Sequence, residues 1–482
     1  MKLRNLIIAL SSLWALSAVG QDKRILVMSN LNVMSPELLV QEGSAFTEAS
    51  KLSPFMLKQS SQIFRTMVDT VRKYRPDLIL IPGDLTKCGE LLSHQEVIST
   101  LDAMRQEGAS VLVIPGEQDI DHSDAVSYNG NTTTPAASVT AEEFVELYKN
   151  YGYGETSQRD EQTLSYACEP IEGLVVFGID LRPTEGAFSP ETMAWLTAIA
   201  DDAVEHGKQL IGMIHCNAID HFKLQSDIAT DCVVREWEDT AQYPTPWRLF
   251  TVNEALTQWS GQTGYITNVP GIGNVKVLSK AHADNNFKNI LHNLIATNWE
   301  PISRVLEENA ESLERINITD IHTPQDLTNL AMNYLEGTFK KIIYAHLEGN
   351  EPKGSVTVEE MKSEIETAVD NLLSDRLGIL QFITRMEAKR QIKELLESEL
   401  YPGLISILTD TNQYGTSLSS VTDDLAPVIT LPRSENRYNG LHTLPADYRE
   451  TSTYFTLNGQ RLQGTPRQKG IYVTANKKYL LR

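Results

Sequence analysis

Cysteine is scarce, with four residues in 482, at Cys88, Cys168, Cys216 and Cys232. That excludes a small scaffold held by disulfides, and a chain of this length does not need them for stability. Basic residues are also in short supply, 42 Lys and Arg against 63 Asp and Glu, for a net charge of −21. So acidic a body excludes nucleic acid and anionic membrane as its partners, because phosphate recognition needs clustered cations. Long apolar runs are missing as well. The strongest, Leu6 to Leu16, is shorter than the roughly 20 residues that a membrane-spanning helix requires. No internal repeat is present.

With 41% hydrophobic and 22% charged residues the chain reads as globular, with length for two to three domains. Met1-Lys-Leu-Arg followed by that apolar run and by Ala18-Val-Gly20 predicts a signal peptide over 1–20, cleaved before Gln21. The expected location is therefore secreted, extracellular or at the cell surface, otherwise periplasmic. No cysteine follows the apolar run, which speaks against a lipoprotein. In an exported protein four cysteines permit one or two disulfides, with three possible connectivities.

From Arg24 to about Val277, short apolar runs alternate with helical segments. ILVMS (25–29), LILIP (78–82), VLVIP (111–115), LVVFGID (174–180) and QLIGMIH (209–215) predict strands buried on both faces. SSQIFRTMVDTVRKY (60–74) and HQEVISTLDAMRQEG (94–108) predict the helices between them, giving an α/β layered domain. Tyr243 to Gly273 reads as short strands closing it. From about Asn285 to Leu408, apolar residues recur at helical spacing with polar opposite faces, predicting a solvated helical domain. Thr409 to Ser452 reads as linker. Thr453 to Arg482 alternates in the strand manner and holds six basic residues and no acid.

In an α/β sheet, function gathers at the carboxyl ends of strands. There the chain places Asn30-Leu-Asn32, Gly83-Asp84 with Cys88, Gly116-Glu117-Gln118-Asp119, and His215-Cys216. In the order of these loops and of the strands before them, the chain resembles the calcineurin-like metallophosphoesterases. That family carries D-x-H, G-D-x-x-D/N, G-N-H-D/E, a late-strand His and G-H-x-H. The segment YPTPWRL (243–249) is similar to the strand after the last motif in secreted bacterial members. The resemblance covers about 21–280 and implies a four-layer α/β/β/α sandwich.

Such sites hold two divalent metals roughly 3.5–4 Å apart, and several carboxylates with neutral imidazoles offset about four positive charges. By resemblance Asp84 matches the bridging Asp and His215 the late-strand His. Asn30 and Asn32 stand where D-x-H belongs, and Cys88 replaces the second acid of G-D-x-x-D/N. Gln118 and Asp119 occupy the motif of the catalytic His, and no G-H-x-H occurs. Each replacement removes charge or basicity, so the expectation is a degenerate, catalytically inactive member that binds an unidentified protein or small ligand. No cofactor is expected. The alternative is a rebuilt site hydrolysing phosphate esters, with one divalent ion (Mn, Fe or Zn) on Asp84, Glu117 and His215.

Other residues have plainer readings. Asp84 suits a turn that accepts backbone N–H groups, and His215 suits a hydrogen-bonded core position. Asp119, Asp121 and Asp124 with His122 read as a solvated turn, lacking the spacing of a Ca²⁺ loop. Tyr148, Tyr151 and Tyr153 read as packing at a helix end. In the family's fold Cys88 and Cys216 face the old metal site, which allows a disulfide between them. The tail, through LNGQRL (457–462), KGIYV (469–473) and KKYLLR (477–482), resembles a type IX secretion sorting domain.

Overall fold

The computed structural model describes residues 22–154, 157–182, 189–215, 233–234, 242–297, 299–348, 355–378, 381–397, 401, 428–431, 441–443, 455–456, 470–474 and 477–481. The predicted signal peptide, Cys216, Cys232 and most of the predicted linker lie outside the described residues.

The chain is a mixed α/β protein with several sheets. Its strands begin with β1 (Lys23–Val27), β2 (Leu39–Gln41), β3 (Leu78–Pro82), β4 (Ser110–Ile114), β5 (Val126–Asn129) and β6 (Thr132–Pro135). They continue with β7 (Gln158–Arg159), β8 (Tyr166–Ile171), β9 (Leu174–Ile179), β10 (Gln209–Ile214) and β11 (Val233–Val234). Next come β12 (Pro246–Val252), β13 (Gln258–Tyr265), β14 (Asn268–Val269), β15 (Gly273–Asn274) and β16 (Val428–Thr430). One large sheet has the order β16-β13-β12-β1-β3-β4, with β1, β3 and β4 parallel and β12, β13 and β16 antiparallel. The other has the order β11-β10-β9-β8-β7, parallel from β11 to β9.

The helices of this part are α1 (Ser44–Leu52), α2 (Ser60–Tyr74), α3 (Leu91–Gln106), α4 (Ala141–Leu147) and α5 (Pro190–Glu205). Every residue of β3, LILIP, is buried, so both faces of its sheet are covered. Ile63, Phe64, Met67 and Val71 of α2, with Val97, Leu101 and Met104 of α3, form the helical stripes that cover it. Leu174, Val176, Ile211 and Met213 of the second sheet share that same core. Their neighbours Val175 and Phe177 point the other way and pack with Ile199 and Ala203 of α5. The five predicted strands are therefore all present. The segment after Tyr243 forms longer strands than expected, β12 and β13 having 7 and 8 residues.

Beyond the sheets lie α6 (Val275–Thr297), α7 (Trp299–Glu308), α8 (Ala310–Arg315), α9 (Pro324–Glu348), α10 (Ser355–Leu377) and α11 (Phe382–Leu395). They bury small cores of their own, one around Met361, Ile365 and Tyr401, another around Ile316, Leu373 and Leu377. The α6 helix ties them to the α/β part. His282 Nε2 donates to the Ser53 carbonyl at 2.9 Å, and Lys280 Nζ lies 3.7 Å from the Tyr344 ring and 5.5 Å from that of Tyr243. No helix among the described residues is long and apolar enough to cross a membrane.

The stretch read as linker departs from that reading. Val428–Thr430 pairs antiparallel with β13 as β16, and β17 (Leu441–Thr443) joins the tail strands β18 (Phe455–Thr456), β19 (Gly470–Thr474) and β20 (Lys477–Leu481) in the order β17-β20-β19-β18. Three-residue strands carry too weak a pattern to be read alone. They exist because an open sheet edge accepts them.

Candidate functional site at the strand ends

Because β1, β3 and β4 run parallel, their carboxyl ends open at one edge, and His215 brings the end of β10 there from the second sheet. The approach is close. His215 Nδ1 lies 2.9 Å from the Pro82 carbonyl, an acceptor only, so Nδ1 carries the proton. Its Nε2 then faces Asp84 Oδ1 at 3.4 Å, and both side chains are 15% exposed. Gly83 permits this contact: it has φ +85°, and a Cβ there would stand 2.5 Å from His215 Nδ1.

Asp84 adopts the left-handed conformation, with φ +46°, as do Asn30 (+47°) and Asn32 (+43°). Asn and Asp tolerate this region better than other side chains, and such positions concentrate at functional sites. Asp84 Oδ1 accepts the Gln118 N–H at 2.9 Å, and its carbonyl accepts the Asn32 N–H at 3.0 Å. This agrees with the turn role that the sequence suggests for Asp84. Asn32 is buried, and its Nδ2 has no hydrogen-bond partner among the described residues.

Asp119 overturns its sequence reading. Instead of sitting in a solvated turn it is 0% exposed. Oδ1 accepts the Thr86 N–H and hydroxyl, each at 2.8 Å, while Oδ2 accepts the N–H groups of Leu85 (3.1 Å) and Gly116 (2.8 Å). The carboxylate thus sews the loop after β3 to the loop after β4, and all its acceptor capacity goes to structure. Asp121 and Asp124, its neighbours in that reading, are exposed.

His94, on α3, is a residue that the sequence reading missed. It is fully buried; Nε2 donates to the Asp119 carbonyl at 2.8 Å, which leaves Nδ1 to accept the Tyr148 hydroxyl, also at 2.8 Å. A histidine amid helical residues gives no signal of a partner 25 residues away. Burial lowers its pKa, against the carboxylates of Asp119 and Glu90, which raise it. A depressed histidine binds fewer protons folded than unfolded, so it contributes stability above the ordinary value of 6.5, lost as pH falls through the folded value. The parent should therefore lose more stability between pH 7.5 and 5 than a His94→Gln variant, as compared by urea midpoints. Equal losses would remove His94 from this account.

Tyr148, Tyr151 and Tyr153 are all buried and pack at the end of α4, as expected. Cys88 is a buried free thiol among the described residues, and Cys216, its expected disulfide partner, lies outside them. Burial pushes that thiol up. Burial opposes the charge on Lys87, yet Cys88, Tyr128 and Glu90 together hold its ammonium above the usual range. Lys87 Nζ lies 3.2 Å from Cys88 Sγ and 3.8 Å from the buried Glu90 Oε1.

Among the described residues the donor set does not fit a two-metal centre. Asp84 alone among the matched carboxylates meets an imidazole, Asp119 is committed to backbone, and Asn30 and Asn32 bring no charge. Glu117 is exposed and makes no hydrogen bond or ion pair with Asp84 or His215. Among the described residues, no three His, Cys, Asp or Glu side chains are grouped to hold a metal ion.

No protein-family model matches the chain, and no curated protein matches it in sequence. Among solved structures, a dimetal phosphatase from Danio rerio aligns with 51% of this chain and 97% of its own, at 8% identity and a TM-score of 0.34.

Proposed function

We propose that this chain is an exported calcineurin-like phosphoesterase relative that has lost two-metal hydrolysis and acts by binding a ligand or partner. The observation that carries this reading is the use of Asp119. A residue in the motif of the catalytic His is committed as a buried structural acceptor, with Gln118 beside it donating its own N–H to Asp84. The unpartnered Nδ2 of Asn32 supports a ligand in the same cleft, since a buried donor left unpaired costs on the order of 1–3 kcal/mol.

In this reading the apolar clusters on both sides of the two sheets belong to a four-layer α/β/β/α sandwich over 21–280, followed by a helical domain over 281–408. Residues 1–20 direct export, and 453–482 act as a sorting signal.

A second reading keeps hydrolysis on one divalent ion. It is favoured by the 3.4 Å approach of Asp84 Oδ1 and His215 Nε2, two electron-pair donors facing one another. Metal content of the purified protein, with turnover of a generic aryl phosphate in added Mn²⁺, Fe²⁺ or Zn²⁺, separates the two. The expected result is no stoichiometric metal and no turnover. Bound metal, with turnover abolished by Asp84→Ala, would establish the second reading instead.

A further inference from the structure

A separate cavity lies at the opposite ends of the strands. It measures about 470 Å³ and opens between the start of β4 and the strand β8, within the size range of small-ligand sites. Arg105, Val111, Lys149, Gly152, Cys168 and Glu169 are among the residues that line it.

One wall is an open strand edge, since β4 ends its sheet. The Ser110 N–H turns inward, donating to the Asp77 carbonyl at 3.0 Å. Val113 turns outward: its N–H donates to the Tyr151 carbonyl and its C=O accepts the Tyr166 hydroxyl, both at 2.9 Å. Successive residues of a strand alternate sides, so Val111 directs its N–H and C=O outward with Val113. Among the described residues no strand pairs with β4 on that side.

Among the described residues that line the cavity, Arg105 and Lys149 bring positive charge on an otherwise acidic chain. Arg105 lies over the Tyr151 ring at 5.4 Å and forms no ion pair among the described residues. Lys149 pairs with Glu146 on the exposed surface, a contact worth under about 1 kcal/mol and readily exchanged. Glu169 is already committed, to Lys208 at 2.6 Å and to the Gly173 N–H at 2.7 Å, which hold its pKa below the usual range.

We propose that this cavity binds a ligand carrying both carboxylate and amide groups, an N-acylated acidic amino acid or a short acidic peptide. The carboxylates would meet Arg105 and Lys149, and the amide would complete the open edge at Val111. The proposal is independent of the strand-end cleft.

Calorimetric titration of the full chain with N-acetyl-glutamate, an acetylated triglutamate amide, glutarate and an acetylated trilysine amide tests it. Both carboxylate–amide probes, or triglutamate alone, should bind, the second outcome assigning the site to peptides. Glutarate, which lacks the amide, should bind at least about 10-fold more weakly than the better of the two, and trilysine not at all. A doubly substituted Arg105→Glu, Lys149→Glu chain, altered only at exposed positions, should keep its urea midpoint and lose at least about 10-fold in affinity. Absence of binding by both acidic amides at millimolar concentration overturns the proposal. So does unchanged affinity in the doubly substituted chain, or glutarate binding as tightly as the amides.

Discussion

Asp119→Ala should destabilise the α/β part by about 4 kcal/mol or more. Its carboxylate is the acceptor for the buried N–H groups of Leu85, Thr86 and Gly116, and for the Thr86 hydroxyl. A buried donor that loses its acceptor costs on the order of 1–3 kcal/mol, and three backbone donors would be stranded together. Asp119→Asn keeps one acceptor oxygen but turns an NH₂ toward a backbone N–H, so an intermediate loss is expected. Urea unfolding gives the magnitude, and hydrogen exchange of the segment 82–90 gives the location. Asp124→Ala, at an exposed position five residues away, should stay within about 0.5 kcal/mol of the parent. If Asp119→Ala were as stable as Asp124→Ala, the carboxylate would not be what joins the loops.

Gly116→Ala should cost about 3 kcal/mol and disorganise the Asp84–His215 pair. A Cβ at Gly116 would stand 2.2 Å from both the N and the Oδ1 of Asp84. Neither atom can withdraw cheaply: one is backbone, and the other accepts the Gln118 N–H and faces His215 Nε2. Relief must come from moving a whole loop, the costly form of overpacking. Gly337→Ala is the contrast, since nothing lies within 4 Å of its Cβ position and it sits inside α9. There alanine should stabilise by up to about 1 kcal/mol through its helix propensity. Thermal midpoints of the two variants should move in opposite directions, and the His215 ring resonance should shift only in Gly116→Ala. A Gly116→Ala chain as stable as the parent would contradict the close approach of the two loops.

Much of the α/β framework is legible because burial on both faces leaves a plain signature. LILIP and QLIGMIH have few readings other than strands, and the loops after them follow at once. The location of Asp84 and His215 at strand ends came from the same signal. Asp119 was not legible, because an Asp in a polar turn looks the same whether it faces water or accepts four bonds. The role of His94 depends on Tyr148, 54 residues away just past the end of α4, and strand β16 depends on an edge offered by β13 more than 160 residues earlier.

By itself, the sequence determined the acidic, cysteine-poor character of the chain, its alternation of buried strands and helices, and the residue types at each strand end. Those follow from composition and from periods of 2 and 3.6, which are local. Only the tertiary structure decided what those residues do, because hydrogen-bond partners are set by the approach of distant segments. It set His215 against Pro82 and Asp84, gave the Asp119 carboxylate to the backbone of two loops, and left the Asn32 Nδ2 unpaired among the described residues.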